Sequence, residues 1–97
     1  MIILEAYNAE WPVLFEREKA LILSAAKAYN IMVEHIGSTA IPGIKAKPII
    51  DIMVGVQNLA IADQYIVDLI QSLGYNYISE YEKNMPERRY FEKAHNN

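Results

Sequence analysis

Cysteine is absent from the sequence, so disulfides and thiolate metal sites are excluded. Long apolar runs are missing too. The opening "MIILEAYNAEW" has no basic segment ahead of its short apolar stretch, and Glu5 breaks that stretch. Neither a secretion signal nor a membrane anchor is expected, and the location is expected to be cytoplasmic. Positive charge is not in excess either. Nine Lys and Arg stand scattered against twelve Asp and Glu, for a net charge of −3. The electrostatic footprint of non-specific nucleic-acid binding is therefore lacking, although a single nucleotide can still be held locally. Repeats and low-complexity segments are also absent.

What remains is the composition of a packed soluble protein, 53% hydrophobic and 22% charged. The 97 residues suffice for one core, so residues 1–97 are read as a single domain.

From Asn8 to Tyr29, Trp11, Phe15, Ile22, Ala26 and Tyr29 fall on one helical stripe, with Leu14, Leu21 and Ala25 beside it. Pro12 fits this helix only in its first turn, where the missing N–H costs nothing. "IMVEHI", Ile31 to Ile36, is β-branched and stopped by Gly37, which predicts a strand. "IIDIMVGV", Ile49 to Val56, alternates so that Ile50, Ile52, Val54 and Val56 share one face while Ile49, Asp51, Met53 and Gly55 share the other. Asn58 is the expected N-cap of a second helix, with Ile61, Tyr65, Leu69 and Leu73 on its packing face and Gly74 ending it. "YNYISEYE", Tyr75 to Glu82, predicts a third strand, and "RRYFEKA" a fourth that returns beside it. This order predicts an α/β (α+β) fold with helices packed on a mixed sheet.

The chemistry gathers between the first two strands. Gly37 and Ser38 directly follow a strand, and such a pair offers backbone N–H groups and a hydroxyl to phosphate oxygens; a plain turn is the alternative. Asp51 is a lone carboxylate in an apolar strand. It must be paired, hydrated at a cleft or bound to metal. Mg²⁺ bridging Asp51 to phosphates on the Gly-Ser loop answers that need, and an ion pair with Lys45, Lys47 or Arg88 answers it equally. Lys45 and Lys47 flank the loop and would add charge for a phosphate chain. Arg88 and Arg89 alternate on the last strand, so one of them faces a cleft, and Arg88 is the expected one. His35 is expected to be a simple hydrogen-bonded strand-end residue. Tyr75, Tyr77 and Tyr81 form a period-two stripe that suits sheet packing better than base stacking.

"HIGSTAIPGIKAKPIIDIMVGV" resembles the signature of the GrpB-like family of the nucleotidyltransferase superfamily. "YNAEWPVLFEREKALI" resembles that family's opening helix, and "GYNY" and "RRYFEK" its next strands, so the likeness covers essentially the whole chain. The resemblance implies a nucleotidyltransferase-like fold in which Gly37 and Ser38 cradle a phosphate chain; Thr39, Lys45, Lys47 and Arg88 are the further phosphate-binding residues expected. It also implies that Asp51 is the catalytic, metal-holding carboxylate with Mg²⁺ as cofactor and a nucleotide or other phosphorylated small molecule as ligand. Two departures stand out. The superfamily pairs two carboxylates one residue apart, but positions 49 and 53 are Ile and Met, so a non-catalytic binding or assembly module is the second reading. Family members are also longer, with a His-rich strand near where His95 stands, so the chain resembles their N-terminal half and the fold is expected to be incomplete. An edge-to-edge homodimer through Tyr75–Glu82 and "RRYFEKA" is the expected consequence. Fusions of family members to dephospho-CoA kinase associate the family with coenzyme A biosynthesis.

Overall fold

The computed structural model describes residues 4–83 and 85–94; His95 and the first three residues of the opening "MIIL" lie outside them. Asn8 starts the first helix. Its side-chain oxygen accepts from Glu10 N–H at 2.8 Å, its carbonyl accepts from Trp11 N–H at 3.0 Å, and helix α1 runs over Glu10–Ala25 with Pro12 in the first turn. The helix is shorter than the sequence predicts. After Ala25 the chain turns, Tyr29 N–H bonding Ala26 O, and the Tyr29 ring stacks on Tyr65 6.2 Å away. Trp11, Phe15, Ile22 and Ala26 are buried as the stripe implies, but Leu21 faces solvent.

Strands β1 (Ile31–Ile36), β2 (Ile49–Val56), β3 (Asn76–Tyr77) and β4 (Arg88–Ala94) form one sheet in the order β1-β2-β4-β3. The α+β class is as expected. Every pairing in the sheet is antiparallel, however, where strands of mixed direction are expected. The period-two reading of β2 holds, since Ile50, Ile52 and Val54 are fully buried. They meet Trp11 and Phe15 from α1 and Phe91 from β4, so the helices occupy one face of the sheet. Asp51, Met53, Glu34, Arg88 and Glu92 fall on the other face.

The second helical region is capped by Asn58, whose side chain accepts from Ile61 N–H at 3.1 Å. It comprises α2 (Leu59–Ile61), a π-helical segment Ala62–Ile66 and α3 (Val67–Ser72), and Gly74 follows at φ +97°. Its buried stripe is Ala62, Ile66 and Ile70, one residue on from the predicted row, and Ile61 and Tyr65 are exposed. Both rows have the same spacing. Small Ala62 lets the backbone approach the sheet, while Tyr65 keeps its hydroxyl in water at the margin.

Tyr75–Glu82 is not a strand throughout. Only Asn76 and Tyr77 pair with β4, and Ser79–Lys83 coils into a 3-10 turn. Strand β4 therefore lies inside the sheet, not at its edge. Among the described residues nothing pairs with the outer side of β1, so Ile31–Ile36 forms one edge of the sheet. No helix among the described residues is long and apolar enough to cross a membrane.

Candidate active site at the Gly37 loop

Strand β1 ends where Gly37 takes φ +77° and ψ −173°, a region essentially closed to other residues. This bend carries the chain into a single 3-10 turn, Ser38–Ala40, closed by Ala40 N–H to Gly37 O at 3.1 Å and Ile41 N–H to Ser38 O at 3.1 Å. The N–H groups of Ser38 and Thr39, and the exposed Ser38 hydroxyl, have no partner among the hydrogen bonds of the described residues.

Thr39 fastens the turn to the sheet. Its buried hydroxyl donates to Ile49 O at 2.9 Å and lies 3.0 Å from His35 Nε2. The hydroxyl has one proton and gives it to Ile49, so His35 Nε2 is the donor in the second bond. His35 stacks on Phe15 at 4.7 Å on the helix side, and desolvation lowers its pKa against the raising influence of Glu16. It is a neutral, hydrogen-bonded strand-end residue, in line with the sequence reading.

Asp51 approaches the loop from β2. A Cβ on Gly37 would overlap Asp51 Oδ2 and stand 3.1 Å from its Cγ, so the carboxylate rests directly on the glycine backbone. The ladder sets Ile36 opposite Asp51 on one side and Glu92 opposite it on the other. Asp51 and Glu92 are near enough to share a hydrogen bond when one is protonated. The positions two residues away along β2, where a second carboxylate is expected, hold Ile49 and Met53, and the carboxylate beside Asp51 is Glu92, across the ladder. No local pattern announces Glu92, because only the β2–β4 register places it there.

Burial is the main cause raising the Asp51 pKa, followed by the charge of Glu92; Lys47 pulls it down, and the result is about 6. The described residues include no ion pair to Asp51, so the alternative, a pairing with Lys45, Lys47 or Arg88, is not formed. A folded-state pKa above the unfolded value makes this group's stabilising contribution largest below pH 3.8 and lost as pH rises through about 6. Asp51→Asn should therefore stabilise the fold at pH 8, by about 1–2 kcal/mol after discounting for solvent screening. Urea melts at pH 8 and 4 check this, the gain shrinking at the lower pH. Destabilisation at pH 8 would show that the carboxylate has a cationic partner after all.

Around the pair lies a pocket of about 260 Å³ whose lining includes Ser38, Lys45, Lys47, Asp51, Tyr81 and Glu92, and into whose wall Thr39 is also built. The sequence-predicted loop residues and Asp51 are thus brought together. Arg88 is not among them. It pairs in register with Gly55 at the other end of the same sheet face, its guanidinium lying over that glycine. Arg89 points to the helix side, where it is buried against Asp63.

A family model described as GrpB protein matches residues 1–97. The chain belongs to the GrpB family. That family is part of the nucleotidyltransferase superfamily. The chain is 45% identical over 74 residues to a UPF0157 protein of Halalkalibacterium halodurans, covering 76% of this chain and 37% of the relative. It is 37% identical over 78 residues to glutamate-rich protein GrpB of Alkalihalophilus pseudofirmus, covering 80% and 45%. It is also 38% identical over 66 residues to a dephospho-CoA kinase of Mycolicibacterium paratuberculosis, covering 65% and 16%. The chain spans less than half the length of these curated relatives. No solved structure matches it.

Proposed function

We propose that this GrpB chain binds the phosphate groups of a nucleotide or other phosphorylated small molecule, together with Mg²⁺, in the pocket between the Gly37 loop and strands β2 and β4. The observation that carries the reading is the meeting of opposite chemistries in one 260 Å³ space: free loop N–H groups, the Ser38 hydroxyl and two lysines facing a carboxylate pair.

The residues fit a hard divalent cation. Asp51 and Glu92 supply oxygen donors from adjacent strands, and no group of three or more metal-binding side chains occurs among the described residues. Such a two-carboxylate set suits a Mg²⁺ that keeps water or phosphate oxygens on its remaining positions. When bound, the cation would neutralise phosphate charge and polarise a phosphoryl oxygen. The chain's own parts have separate tasks. Gly37 lets Asp51 sit against the loop backbone, Ser38 donates to phosphate oxygen, and Lys45 and Lys47 offset phosphate charge from the solvent side. Thr39 spends its hydroxyl on Ile49 and so holds the loop in place. Arg88, at the far end of the sheet face, takes no part. The setting of this reading is the cytoplasm.

A second reading, a binding module without transferase activity, is favoured by Met53, which stands where a neighbouring carboxylate on β2 would complete a two-metal site. Metal-dependent binding is common to both readings, and turnover separates them.

Thermal melts with inorganic triphosphate or nucleoside triphosphates, each with and without Mg²⁺, test the proposal. At a hundred times its Kd a ligand stabilises by about 2.7 kcal/mol, worth roughly 10 °C or more in a domain of this size. The shift should need Mg²⁺ and vanish in Asp51→Asn. No shift with any of these ligands would overturn the reading.

A further inference from the structure

The pocket is too small for a whole nucleotide. At about 260 Å³ it falls below the usual range for drug-sized ligands, and its loop side is already given to phosphate chemistry. The rest of a ligand seated there must extend past the rim. Tyr81, from the 3-10 turn Ser79–Lys83, also lines the pocket and is half exposed to solvent.

The tyrosine stripe read from the sequence divides in the structure. Tyr75 is buried and donates its hydroxyl to Glu18 at 2.9 Å, and Tyr77 packs on Phe91 with ring centroids 5.4 Å apart. Those two are core. Tyr81 is 51% exposed and is the one ring among the described residues that line the pocket. It is also held in a set attitude, because it meets Tyr90 at 5.6 Å with the rings 87° apart, and Tyr90 is itself buried on β4. An exposed aromatic ring that is braced from behind has little rotamer freedom left to lose when a flat ligand stacks on it.

Resting on the phosphate-site reading above, we infer that Tyr81 is a stacking platform that selects ligands with an aromatic heterocycle, so that the pocket takes nucleotides over other phosphorylated small molecules. Phosphates and cation occupy the loop side, and the base lies on the Tyr81 ring. A stacked base is worth roughly tenfold or more in affinity and is tolerant of base identity, since every base has a π face.

The test compares the affinities of adenosine triphosphate and inorganic triphosphate, both with Mg²⁺, by calorimetric titration. The unaltered chain should bind the nucleotide about tenfold more tightly or better. Tyr81→Ala should bring the nucleotide down to the level of inorganic triphosphate and leave the latter unchanged, while Tyr81→Phe retains the preference. Tyr81→Leu keeps apolar bulk against Tyr90 without a π face, and it should lose the preference even if Tyr81→Ala does not fold. Equal affinities in the unaltered chain, a preference that survives in Tyr81→Leu, or an equal fall for both ligands in the variants would overturn the platform while leaving the phosphate site standing. Failure of both ligands to bind the unaltered chain would overturn the phosphate site and the platform with it.

Discussion

Gly37→Ala is expected to cost about 2–4 kcal/mol of stability and to abolish Mg²⁺-dependent phosphate binding. Two independent causes act at one residue. The backbone at φ +77° and ψ −173° is strained for any side chain, and the added Cβ overlaps the Asp51 carboxylate. The second cause is separable. In an Asp51→Ala background the overlap with the carboxylate is gone, leaving the backbone strain and a tight 3.2 Å approach to the Cβ of residue 51, so Gly37→Ala should cost at least about 1 kcal/mol less there. Urea melts of the four-member cycle measure the difference. Equal costs in both backgrounds would mean that Asp51 does not press on the loop as the geometry describes, and the close seating of carboxylate and phosphate loop would have to be given up.

That contact also marks how far the sequence could be read. Alternation in "IIDIMVGV" was enough to place Asp51 opposite the buried Ile50 and Ile52 face, because a strand's side chains have a fixed period of two. Glycine after a β-branched run was enough to end β1. The identity of the carboxylate's neighbour was not legible, since Glu92 reaches Asp51 through the pairing of strands whose facing residues are far apart in the chain. Chemistry set along one strand appears as local spacing, whereas chemistry set across a ladder depends on register. "YNYISEYE" failed for a related reason. Its alternation is that of a strand, yet after Ile78 N–H bonds Tyr90 O at 2.8 Å the chain coils, and Glu82 is drawn 3.3 Å from the buried Arg89. The alternation gives way there to a turn that sets Glu82 beside Arg89 of β4.

Arg89→Ala is expected to remove about 3 kcal/mol, a large part of the stability of a domain this size. Arg89 is only 5% exposed, and its Nε and Nη2 meet Asp63 at 2.8 and 3.2 Å. Its Nη1 donates to Pro86 O and Arg88 O, each at 2.9 Å. One guanidinium thus joins the π-helical segment, the loop into β4 and the 3-10 turn that carries Tyr81. Truncation leaves the Glu82 Oε1 atom, already buried without a hydrogen bond, with no cation beside it. Asp63→Asn should cost much less, because that side chain is mostly exposed and the other Arg89 bonds survive. The pair has an acid signature as well. Hydrogen bonding to Arg89 is the main cause lowering the Asp63 pKa, so its stabilising contribution is complete above pH 3.8 and lost as pH falls through the depressed value. Arg89→Ala should erase that component of the acid transition. Hydrogen exchange tests the structural link, with protection in Ser79–Lys83 falling more than in α1 at equal global stability. Uniform loss across both would mean that Arg89 serves the core as a whole and does not hold the Tyr81 turn in particular.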